Sequence, residues 1–171
     1  MLETKDLILR KGGFEDWKSM YDNVWSHPET AQYMLWEVTS SEEDARSRME
    51  RTIRWQAEHY AWFVVEKCSG KCIGFAGFIE IGPGVYEDIG IALGPDYVGR
   101  GYGKQVLNCL LSFAFENLNG DKFIGSSRSE NTASIALQRS CGFEFTRSEN
   151  RTDPRNGTDY TLNFYEKRRS L

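Results

Sequence analysis

Leucine alternates with polar residues around Leu7 and Leu9 in DLILRKGG, and the Gly12-Gly13 pair closes the run, so the pattern predicts a first strand. A short helix is expected from about Glu15. Residues 41–59, SEEDARSRMERTIRWQAEH, open with a serine and an acidic turn and carry Ala45, Met49, Ile53 and Ala57 at helical spacing, which predicts a long amphipathic helix. Two β-rich runs in YAWFVVEKCSGKCIGFAGFIEI flank Ser69-Gly70 and read as an antiparallel hairpin. YEDIGIAL adds a strand that stops at Gly94-Pro95. Val106, Leu107, Leu110, Leu111, Ala114 and Leu118 give one apolar face to a helix running to about Asn117. KFIGSS is a short strand, and NTASIALQRSCGF a helix with Asn131 as N-cap and Gly142 as its stop. FEFTRS and DYTLNFYEK are the last two strands. This order describes a mixed α/β fold, a sheet flanked by helices. Without repeats, low-complexity tracts or a proline-rich linker, residues 1–171 read as one domain.

Composition narrows the function classes. The chain has 171 residues, 40 % of them hydrophobic, enough for one core. A net charge of -4 argues against a general nucleic-acid or membrane-surface binder, and only the tail EKRRSL is locally basic. No apolar stretch approaches the roughly 18 residues of a membrane span, and MLETKDLILRKGG lacks the apolar core of a secretory signal. The expected location is cytoplasmic, where the four cysteines stay reduced and sit buried or half-buried. Cys68 and Cys72 flank SGK like half a zinc site, but no second pair or nearby histidine completes it, so no metal is expected. His27 and His59 read as surface residues.

Three glycines fall within five residues in YVGRGYGK, at the junction of a strand and a helix. A helix N-terminus presents unpaired N–H groups and about half a positive charge, and glycine lets a ligand approach the backbone closely. Gly99, Gly101 and Gly103, with the amides of Arg100, Tyr102 and Lys104 and the charges of Arg100 and Lys104, therefore offer a pyrophosphate cradle. A tight turn that only packs helix against sheet is the alternative. GKQ lacks the serine or threonine of a P-loop, and GRGYGK misplaces the third glycine of a dinucleotide fingerprint.

EDIGIALGPDY followed by VGRGYGKQVLNCLLSFAF resembles the acetyl-CoA-binding motif of the GNAT superfamily of N-acetyltransferases. Gly101 and Gly103 match the signature, while Val98 stands where glutamine or arginine is usual. NTASIALQRSCGF is similar to a second family segment, with Asn131, Ser134, Gly142 and Phe143 on its positions. LETKDLILRKGGFEDW resembles the start of the RimJ/RimL-like branch of ribosomal-protein N-terminal acetyltransferases. The resemblance runs from Leu2 to about Tyr165. It implies a GNAT fold, with a central mixed, mostly antiparallel seven-stranded sheet flanked by helices and two strands splayed at the cofactor site. It also implies direct transfer of an acetyl group from acetyl-CoA to an amine, on a protein N-terminus or a small molecule, and dimerisation through the late strands. A non-catalytic acyl-CoA-binding module is the alternative from another class.

By the same resemblance, Ile91, Ala92 and Leu93 bind pantetheine through their backbone, and an N–H there polarises the thioester carbonyl. Many members protonate the leaving thiolate with a tyrosine where this chain has Gln138. Ser134 is the candidate donor in this branch, and Asn131 caps its helix or bonds pantetheine. Asp88, Asp153 and a water relay compete for the role of base. Strict alternation would put Asp88, Gly90 and Ala92 on one face of their strand and Glu87, Ile89 and Ile91 on the other. Trp36 is a candidate wall for the acceptor.

Overall fold

A computed structural model describes residues 1–169; Ser170 and Leu171 of the basic tail lie outside the described residues. The strands are β1 (Leu2–Glu3), β2 (Leu7–Arg10), β3 (Tyr60–Glu66), β4 (Cys72–Gly82), β5 (Val85–Leu93), β6 (Lys122–Arg128), β7 (Glu144–Thr152) and β8 (Asp159–Arg168). They form one sheet in the order β1-β2-β3-β4-β5-β6-β8-β7. All neighbours are antiparallel except β5 and β6. The sheet has eight strands rather than seven because Leu2 and Glu3 pair with Leu9 and Ile8, a two-residue ladder too short for alternation to reveal.

Helices cover both faces. On one side, α4 (Tyr102–Ser112, widening to a π-helical turn at Phe113–Asn117) and α5 (Thr132–Ser140) bury the main core, with Val106, Leu107, Leu110 and Leu111 against Phe78, Phe123 and Tyr165. On the other, α1 (Trp17–Met20, continued by a π-helical turn through Trp25) and α3 (Glu42–Glu58) pack Met20, Val24, Trp25 and Met49 on Phe63 and Val65. Between them lies α2 (Pro28–Ala31), one turn that periodicity could not signal. Ser41 caps α3 by accepting the Asp44 N–H. The last buried position of α3 is Gln56 rather than Ala57: its side-chain oxygen accepts the Gly12 N–H at 2.8 Å, so a polar residue satisfies a backbone donor there.

The strand containing Asp88 departs from simple alternation. Ala76 pairs with Ile91 and Phe78 with Asp88, so β5 holds one residue more than β4 between these pairs. The extra residue is a bulge beside Gly90, whose φ of 98° is costly for other residues. Asp88, Ile91 and Leu93 consequently share the face of the main core, and Ala92 takes the opposite one. The parallel ladder between β5 and β6 covers only Val85–Glu87 against Lys122–Ile124; beyond it the two strands part. β7 reaches Thr152, further than FEFTRS suggested, which leaves a tight turn at 153–158 where a longer loop was expected.

Candidate active site

The fork between β5 and β6 is the centre of the site. Its inner edge carries Ile91, Ala92 and Leu93, and Asp88 stands where the strands separate. The Asp88 carboxylate accepts the Ser126 N–H at 3.3 Å. Burial pushes its pKa up to about 7, with the Ser126 N–H opposing and Glu87 adding slightly.

Across the fork, Ser134 on the first turn of α5 has its Oγ 2.6 Å from Ser127 Oγ of β6. Asn131 caps α5, its Oδ1 accepting the Ser134 N–H at 3.1 Å. Gln138, where the resemblance leads one to expect tyrosine, is buried and donates to Ser127 Oγ at 2.6 Å and to the Ser126 carbonyl at 3.3 Å. Asp88 and Ser134 are thus brought together through two consecutive residues of β6. Sequence reasoning missed Ser126 and Ser127, because only the register of β6 against α5 gives them a role.

Next to the fork, Gly99 and Gly101 have φ of 76° and 78°, and a Cβ on either would meet open space. Gly101 is the N-cap of α4 and supplies no side-chain acceptor, so the first amides of the helix have no capping side chain. Gly103 differs: a Cβ there would come within 3.3 Å of Leu137, so this glycine lets α4 approach α5. Lys104 is exposed, and Arg100 lies 3.6 Å from buried Glu66, which also accepts the Tyr102 hydroxyl at 2.8 Å. Serine and tyrosine hydroxyls, chiefly Ser69 and Tyr102, hold Glu66 below the usual carboxylate range. An extended ligand ending in phosphates fits these parts: a strand edge for its chain, and a left-handed glycine turn with free helix amides for its anion.

Asp153 is bonded not to Asp88 or Ser134 but to Arg128, the last residue of β6. It is buried and bonded to Arg155 at 2.7 Å and Arg128 at 2.6 Å, and these guanidiniums hold its carboxyl far below the usual range. Such a carboxylate is a poor proton acceptor. Arg155 continues to the carbonyls of Ala31 and Trp36, both at 3.2 Å, and so ties the turn after β7 to the loop after α2. In that loop Trp36 lies between the Arg48 guanidinium, 4.4 Å from the ring centroid, and Phe75. Met34, not Trp36, reaches the bulge: its Cε would lie 2.8 Å from a Cβ at Gly90. Between the tied loops is a depression of about 340 Å³ lined in part by Gln32, Glu37, Val38 and Asn156.

The remaining candidates sit elsewhere. His27 Nε2 and His59 Nδ1 each lie 2.7 Å from a carbonyl in their own segment. Cys72 and Cys141 are buried and Cys109 is half-buried, whereas Cys68 is exposed because it falls in the hairpin turn itself. Among the described residues no three His, Cys, Asp or Glu side chains gather as a metal site requires, and no helix is long and apolar enough to cross a membrane.

Splayed strands beside a glycine-opened helix, with a buried carboxylate and a hydroxyl bonded to consecutive residues of β6, make a scaffold suited to acyl transfer. Residues 6–144 match the acetyltransferase (GNAT) domain family, and the chain belongs to it, as an N-acetyltransferase. It is 27 % identical over 142 residues to YnaD of Bacillus subtilis, an uncharacterized N-acetyltransferase, covering 82 % of this chain and 81 % of that protein. The fold superposes with a TM-score of 0.80 on RimL, a ribosomal-protein α-N-acetyltransferase in complex with coenzyme A, at 22 % identity over 96 % of this chain and 95 % of that one. With spermidine N-acetyltransferase of Vibrio cholerae, in complex with CoA and spermine, the TM-score is 0.77 at 20 % identity over 96 % of both chains.

Proposed function

We propose that this enzyme transfers the acetyl group of acetyl-CoA directly to a primary amine, in the manner of the RimJ/RimL-like branch, in the cytoplasm. The observation that carries the reading is the β5/β6 fork opening beside the left-handed glycine N-terminus of α4. The backbone of Ile91–Leu93 receives the pantetheine arm along the strand edge. The amides from Gly99 to Lys104, with the Arg100 and Lys104 side chains, receive the pyrophosphate. Bound there, acetyl-CoA supplies an activated acyl carbon and a thiolate leaving group.

The chain's own groups then divide the work. A β5 N–H polarises the carbonyl. Asp88, with a pKa near neutrality, takes the proton lost by the attacking amine, directly or through water. The C–N bond forms, the C–S bond breaks with its electron pair going to sulfur, and the Ser134 hydroxyl donates a hydrogen bond to the departing sulfur. Asp153 acts by position: with Arg155 it holds the loop bearing Met34 and Trp36 over the fork. The acceptor enters between these loops, where Glu37, whose charge also acts on Arg155, is the carboxylate of the depression and suits a cationic amine. β7, last in the strand order with largely exposed residues, is the edge across which two copies would pair; light scattering measures that state.

Acceptor-dependent CoA release, assayed over polyamines, amino acids and peptides with free N-termini, tests the reading. Release above the acceptor-free rate for at least one primary amine is expected, together with thermal stabilisation by CoA greater than that by ATP. Binding of CoA with no release from any amine would leave an acyl-CoA-binding module instead.

A further inference from the structure

Gln138 presents a buried amide to three oxygens at once: Ser127 Oγ at 2.6 Å, the Ser126 carbonyl at 3.3 Å and Ser134 Oγ at 3.3 Å. A carbonyl oxygen only accepts, so the edge of the amide facing it is the NH2. This orientation has a cost. The other edge, Oε1, is buried without a hydrogen-bond partner and lies where a Cβ on Gly125 would come within 2.7 Å of it. An unpaired buried acceptor is uncommon and calls for a reason.

The direction of the remaining protons supplies one. Ser127 is 5 % exposed, and its Oγ has two partners among the described residues, Gln138 Nε2 and Ser134 Oγ. Its oxygen accepts from the amide. Its own proton therefore has one place to go, the oxygen of Ser134; the reverse polarity would strand a buried hydroxyl proton. Ser134 Oγ then accepts from Ser127, the two Gln138 amide protons being taken by Ser127 Oγ and the Ser126 carbonyl, so that Nε2 at 3.3 Å offers Ser134 no more than a shared proton. Its proton is excluded from the interior and turned to the half-open side, the fork.

We infer that Ser127 and Gln138 are positioning residues that fix the polarity of a hydrogen-bond chain and turn the Ser134 hydroxyl outward as a donor to the CoA sulfur. The inference rests on the proposed role of Ser134. In it, glutamine does not replace the acid that the tyrosine position often provides, but directs a hydroxyl from behind. The amide serves this better than a carboxylate, because a carboxylate would accept and draw both serine protons inward.

The test needs no acceptor: the thiolate absorbance of CoA bound to the full-length protein is followed against pH. A hydrogen bond to the charged form lowers the thiol pKa. Ser134→Ala is expected to raise it by about one unit, and Ser127→Ala and Gln138→Met to raise it by a similar amount. The double variant should go no further than either single one, because one chain is being cut. Ser127→Thr keeps the hydroxyl and should restore the native value. Ser140→Ala, on the exposed side of α5, controls for loss of helix stability and should leave the titration unchanged. If Ser134→Ala shifts the pKa while Ser127→Ala and Gln138→Met do not, the positioning chain is wrong and the donor role of Ser134 stands. If Ser134→Ala leaves it unmoved, the donor role fails as well. Absence of CoA binding to the native protein would remove both readings together.

Discussion

Val98 is 60 % exposed at the mouth of the glycine turn, in the position where the family signature has glutamine or arginine. A long polar side chain costs little there and adds a donor toward the phosphates. Val98→Arg is therefore expected to lower the Kd for CoA several-fold without changing kcat, measurable by calorimetry and steady-state kinetics. Asp88 carries the opposite kind of prediction. As a base it works deprotonated, so kcat should climb as pH rises through about 7 and then level off. Asp88→Asn should abolish that limb and lower kcat by about 10²-fold at high pH, the usual scale for a lost general base. A profile for Asp88→Asn that keeps its limb would assign the base elsewhere.

At the level of elements, the tie made by Arg155 can be cut singly. Arg155→Ala removes both bonds to the carbonyls of Ala31 and Trp36 while leaving Asp153 paired with Arg128. Hydrogen exchange should rise at residues 31–36, and the KM for the amine should increase while that for acetyl-CoA stays the same. Nothing in the sequence announced this tie, because it joins residues 119 and 124 positions apart. The local signals, by contrast, were readable. Asn131 and Gly142 bracket α5 as their chemistry requires, with a side-chain cap at one end and a φ of 82° at the other. The glycine turn was legible for the same reason, since positive φ leaves glycine as its mark. The face on which Asp88 lies was not legible. Alternation is a rule for regular strands, and only pairing with β4 reveals the bulge that breaks it. Gln138 was read only as a missing tyrosine, because its function depends on two serines that another strand brings beneath it.

For the whole molecule, the two aspartates pull stability in opposite directions with pH. Asp88 has a raised pKa, so the folded state holds a proton that the unfolded chain gives up above an ordinary value of about 3.9. Its contribution to stability therefore declines as pH rises from about 4 to about 7 and is flat beyond. Asp153 has a depressed pKa, so its contribution is complete above the ordinary carboxylate range and is lost as pH falls below it. Thermal scans across this range should show Asp88→Asn flattening the decline on the neutral side while leaving the acid side unchanged.

The bulge in β5 also bears on how this chain tolerates change in length. The pairs on either side of it already face the sheet correctly, because the additional residue is absorbed between Asp88 and Ile91. Deleting Gly90 would keep Phe78 opposite Asp88 and Ala76 opposite Ile91, so the hydrophobic packing would survive. What would vanish is the bulge itself and the local bend a bulged strand takes, at the point where β5 and β6 part. A one-codon deletion should therefore yield a protein that folds and melts cooperatively yet has lost its affinity for CoA, separating the information for building this enzyme from the information for using it.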